Sequence, residues 1–159
     1  MANLHTSTRV PVDDDYVALV GKAVYIFAYY EWSIIWIVEL MQPGFVKEYS
    51  RAERPMMSGA VKARLKAAIE TSSVDDTRVS KRELEACLAE FDALIIKRNA
   101  LIHAHPITDV DGAQVLAYQT NSSRPLPDMK WQAEEVAGLI ASFDKAAVSA
   151  GQILDRMRK

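Results

Sequence analysis

The sequence predicts an all-α fold, mainly a four-helix up-and-down bundle, with a small β-hairpin or irregular insert before the last long helix. Three observations lead there. Apolar residues recur at three- and four-residue steps over four long stretches, the spacing of a helix with one buried face. The prolines, at positions 11, 43, 55, 106, 125 and 127, all fall between those stretches. A turn signal at 108–112 followed by the short apolar run 115–118 marks the one place where strand is expected.

With 159 residues, half of them hydrophobic, the chain has enough apolar material for one domain with a substantial core. Residues 13–159 are read as that domain and residues 1–12 as a flexible N-terminal arm. The arm has neither an apolar run nor a small-residue cleavage site, so no secretory signal is expected. The net charge is -2, so any nucleic-acid site has to be local rather than a property of the whole surface. Cys87 is the single cysteine; it suits a reducing compartment and reads as a small buried apolar group. Residues 23–38 are almost entirely apolar, but the run falls short of the roughly 20 residues a membrane span needs, and Glu31 interrupts it. The expectation is a soluble cytoplasmic protein with no membrane partner.

In chain order, Asp13, Asp14 and Asp15 place carboxylates at a helix start, where they complement the positive end of the backbone dipole. Val17, Val20, Val24, Phe27, Glu31, Ile34 or Ile35, and Val38 then form a stripe that ends before Pro43 and Gly44. A second row, Tyr25, Tyr29, Trp32 and Trp36, lies about 100° away, so this helix is apolar around most of its circumference. Either a neighbouring helix or a second subunit covers that row; periodicity does not distinguish them. Residues 44–55 hold a short helical turn. Ser58 is placed as the cap of a second main helix carrying Val61, Leu65, Ala68 and Ile69. Residues 71–77 are a polar connection, and Ser80 with Glu83 has the spacing of a capping box at the start of the third. Residues 124–127 read as extended connection, and Asp128 as preceding the last helix, whose face is Val136, Leu139, Ile140, Phe143, Ala147, Ala150, Ile153 or Leu154, and Met157.

The third long helix ends in the chemically richest stretch of the chain, residues 97–106. Its core-facing seam, Leu84, Leu88, Phe91 and Ile95, continues onto Arg98 and Ile102, and a cation on that row needs a partner. Asn99 and His103 share a face, whereas Arg98 and His103 lie about 140° apart around an ideal helix, a gap that a long arginine side chain can bridge. His105 would stack above Arg98 if the helix continued, but Pro106 drives the residue before it towards extended geometry. His103 is therefore favoured over His105.

The pattern Arg98-Asn99-Ala100-Leu101-Ile102-His103 resembles the Arg-x4-6-His signature of the HEPN family, the higher-eukaryote and prokaryote nucleotide-binding domains. Its position late in the third long helix, before a variable insert and a final long helix, is similar to that family's organisation. The resemblance implies a metal-independent endoribonuclease, of toxin–antitoxin or antiphage type, with a composite active site at a homodimer interface. It carries over Arg98 and His103 as the catalytic pair, Asn99 as the polar residue after the arginine, and Glu31 as the acidic residue of the first helix. His105 also satisfies the upper spacing. RNA, a second copy and an antitoxin protein are the implied partners. The alternatives are a noncatalytic HEPN-like partner-binding or assembly module, or nucleotide binding without strand cleavage.

The residue chemistry suits that reading on its own terms. RNA supplies a 2′-hydroxyl nucleophile, so cleavage needs proton transfer and stabilisation of a phosphorane rather than a metal. A guanidinium donates paired hydrogen bonds to phosphate, and histidine changes protonation near neutral pH. The competing structural reading makes Arg98 an ion pair with Glu31, Asn99 a backbone partner and His103 a favourable charge at a helix C-terminus. His103 and His105 lack further ligands for a metal, and neither a glycine-rich phosphate loop nor a nucleophile elbow occurs, so no metal or cofactor is expected.

Overall fold

The computed structural model describes residues 11–53, 55–71, 78–120 and 126–159. Most of the predicted arm therefore lies outside the described residues, as do residues 72–77 of the polar connection and residues 124 and 125 of the extended one. Val12, also assigned to the arm, instead packs against the core.

Helix α1 (Asp14–Met41) starts where the aspartates predict, with the Asp13 carboxylate accepting the Tyr16 N–H at 2.9 Å. At 28 residues it outlasts the apolar run that marked it, and its length and apolar content would suffice to cross a bilayer. Its inner face is core instead: Tyr16, Ala23, Phe27, Tyr30, Ile34 and Ile37 are buried. Gly44 turns the chain at φ +103°, a left-handed conformation, and Glu39 accepts the N–H groups of Gly44 and Val46. The short helix α2 (Phe45–Arg51) follows, tied to helix α3 (Ser58–Thr71) by the Arg64–Glu48 ion pair and by Arg64 over the Phe45 ring. Ser58 does not cap α3. It is the first helical residue, its buried hydroxyl has no hydrogen-bond partner among the described residues, and the Met57 carbonyl takes the opening bonds from Ala60 and Val61.

Helix α4 (Lys81–Ile102) opens with the predicted capping box: the Ser80 hydroxyl accepts the Glu83 N–H and Glu83 accepts the Ser80 N–H. Beyond it, β1 (His105–Thr108) and β2 (Gln114–Tyr118) form the expected hairpin around Gly112, whose φ of +87° supplies the turn. The insert is larger than a hairpin, because β3 (Met129–Trp131) adds to β2 and makes a three-stranded antiparallel sheet in the order β1-β2-β3. Asp128 accordingly does not begin the last helix. Its carboxylate accepts the Thr120 N–H, and helix α5 (Ala133–Met157) begins after Gln132.

Helices α1 and α5 run parallel, with the Tyr16 hydroxyl donating to the Trp131 carbonyl near one end, Phe27 against Phe143 in the middle, and Arg158 over Trp36 at the other end. The C-terminal ends of α1 and α3 meet through Gln42 and Thr71, and Lys62 of α3 pairs with Asp92 of α4. The Arg156–Glu83 bridge brings the end of α5 to the start of α4. The alternation up and down therefore passes through the short α2, and α4 faces α1 across the core, where Phe91 meets Phe27 and Tyr30.

Candidate functional site

The last turn of α4 places Arg98 half-buried on the row that Leu84, Phe91 and Ile95 fill with core. The cation reaches across to α1, where its guanidinium carbon lies 5.1 Å from the centroid of the Phe27 ring. Its Nη1 donates to Oδ1 of Asn99 at 2.9 Å. Phe27 is itself held by Phe91, Tyr30 and Phe143, so the guanidinium rests on a packed aromatic floor. A planar, weakly hydrated cation suits that place: one face meets the ring while its N–H edge stays available for hydrogen bonds. Only one of the guanidinium's five N–H groups is needed by Asn99.

His103 is the C-cap of α4, at φ -93° and ψ 8°, and its backbone N–H donates to the Asn99 carbonyl at 2.9 Å. Asn99 thus serves both candidates, Arg98 through its side chain and His103 through its backbone. The His103 imidazole is exposed at the C-terminal end of the helix. His105 has left the helix. It opens β1, is exposed, and pairs in register with Ala117, as the influence of Pro106 predicts. β1 is an edge strand, which is why a proline is tolerated in it.

Glu31 does not meet Arg98. Among the described residues no hydrogen bond or ion pair joins them, and the Oε1 atom of Glu31 is buried without a hydrogen-bond partner. The physical reason is the arrangement of the bundle: α4 lies across the core from α1, and the Arg98 side chain is spent reaching Phe27, one turn before Glu31. The carboxylate is instead near α2, where burial and then the charge of Glu31 raise the Tyr49 pKa. Sequence reasoning placed Phe27 in the core stripe and missed its role as the platform for Arg98. The available signal was that a core-row arginine can be accommodated by an aromatic face as well as by a carboxylate.

Cys87 is buried, and burial followed by the nearby Glu90 pushes its thiol up to about 12, which leaves it protonated and inert at neutral pH. A cavity of about 560 Å³ lies between the start of α1 and the hairpin, lined by Val12, Val17, Val20, Ile107 and Val115 among others. It is apolar and includes neither Arg98 nor His103. Among the described residues no three His, Cys, Asp or Glu side chains gather as a metal site. Comparison with known proteins finds no matching family model, curated protein or solved structure.

Proposed function

We propose that this protein is a metal-independent endoribonuclease of the HEPN type, acting in the cytoplasm as a toxin or antiphage component, with its active site formed where two copies meet. The observation that supports the reading is that the last turn and cap of one helix carry both a supported guanidinium and an exposed imidazole: Arg98 lies on Phe27 and is bonded to Asn99, and His103 follows as the helix cap. In the proposed reaction the imidazole of one copy takes the proton of the RNA 2′-hydroxyl as that oxygen attacks phosphorus. The imidazolium of the other copy gives a proton to the departing 5′-oxygen. Arg98 offers paired N–H groups to the phosphorane oxygens. The products are a 2′,3′-cyclic phosphate and a 5′-hydroxyl. RNA and a second copy are the required partners, and a neutralising antitoxin protein is the expected regulator.

A second reading, a noncatalytic HEPN-like assembly or partner-binding module, draws on a different observation. Arg98 already has both an aromatic face and a hydrogen-bond acceptor within its own chain, an arrangement that structure alone would justify.

Incubation of the purified protein with structured and unstructured RNA in the presence of chelator separates the two. The nuclease reading expects wild type to release cyclic-phosphate ends, with Arg98→Ala and His103→Ala each losing about 100-fold or more in rate, the scale of a lost acid–base group. His105→Ala is expected to cleave as wild type does. Intact RNA with wild-type protein, or equal cleavage by all variants, would exclude the assigned site.

A further inference from the structure

Among the described residues nothing covers the outward face of α1, whose own side chains are almost free of charge. Tyr25 is 74% exposed and Tyr29 61%, and Val17, Val24 and Trp32 are between 41% and 49% exposed. Between Asp15 and Glu31 the only charged side chain is Lys22. Asp14, Ala18, Gly21, Tyr25, Ala28 and Trp32 recur at alternating steps of four and three, the spacing of a seam between two long helices. Gly21 lies in the middle of that seam, where glycine weakens a helix, yet a Cβ there would meet nothing within 4 Å in the single chain. Nothing among the described residues of the monomer requires the glycine.

We propose that this face binds a second copy of the chain, the two α1 helices lying antiparallel about a two-fold axis at Tyr25. The inference does not rest on the nuclease reading. Its first support is area. With aromatic side chains contributing roughly 150–250 Å² each, the exposed parts of this face and the adjoining Val148 of α5 offer on the order of 600–800 Å² per copy, close to the roughly 800 Å² per partner of a standard interface. The second is shape. A two-fold at Tyr25 sets Ala18 opposite Trp32 of the partner subunit and Gly21 opposite Tyr29 of the partner subunit, so small residues on each helix receive large ones from the other. Trp32 is already oriented by Trp36 and Tyr49, with ring centroids 6.1 and 6.2 Å away. The third is charge. The same register brings Asp14 to Trp36 of the partner subunit, the residue over which Arg158 places its guanidinium. An acidic residue at each end of the seam thus meets a basic one.

Because α4 faces the opposite side of α1 across the core, this pairing leaves the Arg98 ends on the outside of the dimer. A composite cleft would then require a second contact, through the end of α4, and would build a larger assembly.

Sedimentation of the full chain at micromolar concentrations, together with disulfide trapping, tests the proposal. Wild type is expected at twice the 17.7 kDa chain mass or a multiple of that. Tyr25→Glu and Gly21→Trp are each expected to abolish the α1 contact with an unchanged far-UV circular dichroism spectrum, since Tyr25 is exposed and the space beside Gly21 is open. Under mild oxidant Tyr25→Cys should link to its own copy. Ala18→Cys should link only when mixed with Trp32→Cys, and the buried Cys87 should take no part. Monomeric wild type overturns the proposal, as does an oligomer indifferent to both surface variants. Self-linking of Ala18→Cys overturns the antiparallel register. Flotation of monomeric wild type with lipid vesicles, lost in Tyr25→Glu, would assign the face to a membrane instead. RNA cleavage is scored separately, so the nuclease reading and this one fail on different results.

Discussion

Arg98 shows how a charged residue can occupy a core row with no counter-ion among the described residues. Its guanidinium lies 5.1 Å from the Phe27 centroid, and Asn99 accepts one of its N–H groups. An exposed cation–π contact contributes about 0.5–1 kcal/mol and a desolvated one about 2 kcal/mol. That is less than the roughly 3–5 kcal/mol lost when one member of a buried ion pair is stranded. The two accounts diverge in a double-mutant cycle. Arg98→Ala and Glu31→Gln, measured singly and together by urea denaturation, are expected to add within about 0.5 kcal/mol, because the residues share no bond. A coupling of 2 kcal/mol or more would restore the Glu31–Arg98 pair. Glu31→Gln alone is expected to be close to neutral, since among the described residues the buried Oε1 atom has no hydrogen bond to lose.

The start of α4 illustrates how one side chain can settle an element and link it to another. Glu83 receives the Ser80 N–H, the Arg156 guanidinium and the Ser80 hydroxyl, and these together hold its carboxyl down at about 2, against an ordinary value of 4.5. A carboxylate depressed in the folded state contributes stability that is complete above the unfolded value of 4.5 and is lost as pH falls through the folded value near 2. Glu83→Gln should therefore destabilise the protein at pH 7 and make stability less steep in pH between about 5 and 2. Urea midpoints of the two proteins across that range provide the check; parallel curves would mean the carboxylate has the same pKa folded and unfolded. The effect is modest because both Glu83 and Arg156 are substantially solvated.

On the scale of the whole molecule, Tyr16 joins the helical and β parts. Its hydroxyl donates to the Trp131 carbonyl at 2.7 Å and accepts the Leu116 N–H at 3.0 Å, bridging the start of α1 to β3 and β2. The Trp131 indole N–H in turn reaches the Ala100 carbonyl at 3.3 Å, which carries the link to the end of α4. Burial raises the Tyr16 pKa while the Leu116 N–H pulls it down, so the phenol stays protonated and donating at neutral pH. Tyr16→Phe preserves the ring and strands a buried carbonyl, with an expected loss of about 1–3 kcal/mol. Amide hydrogen exchange should report the loss first as faster exchange in the sheet, at Leu116 and its neighbours. Uniform exchange across all elements would argue against Tyr16 as the tie.

Local information was enough for the features whose energetics are local. Asp13 before α1 and the Ser80–Glu83 box follow from side chains bonding backbone within a few residues, the departure of His105 from the helix follows from the Pro106 ring and the turn from the left-handed φ of Gly112, and the apolar rows of α4 and α5 follow from helical periodicity. The sequence by itself thus determined a helical bundle with its insert and the placing of Arg98, Asn99 and His103 at one helix terminus. What required tertiary structure was every choice between long-range partners. β3 exists because Met129, Lys130 and Trp131 find β2, Arg98 takes Phe27 rather than Glu31, and Tyr25 and Tyr29 remain exposed although periodicity allowed a neighbouring helix to cover them. Periodicity says which residues share a face; only the packing of the elements determines what that face meets.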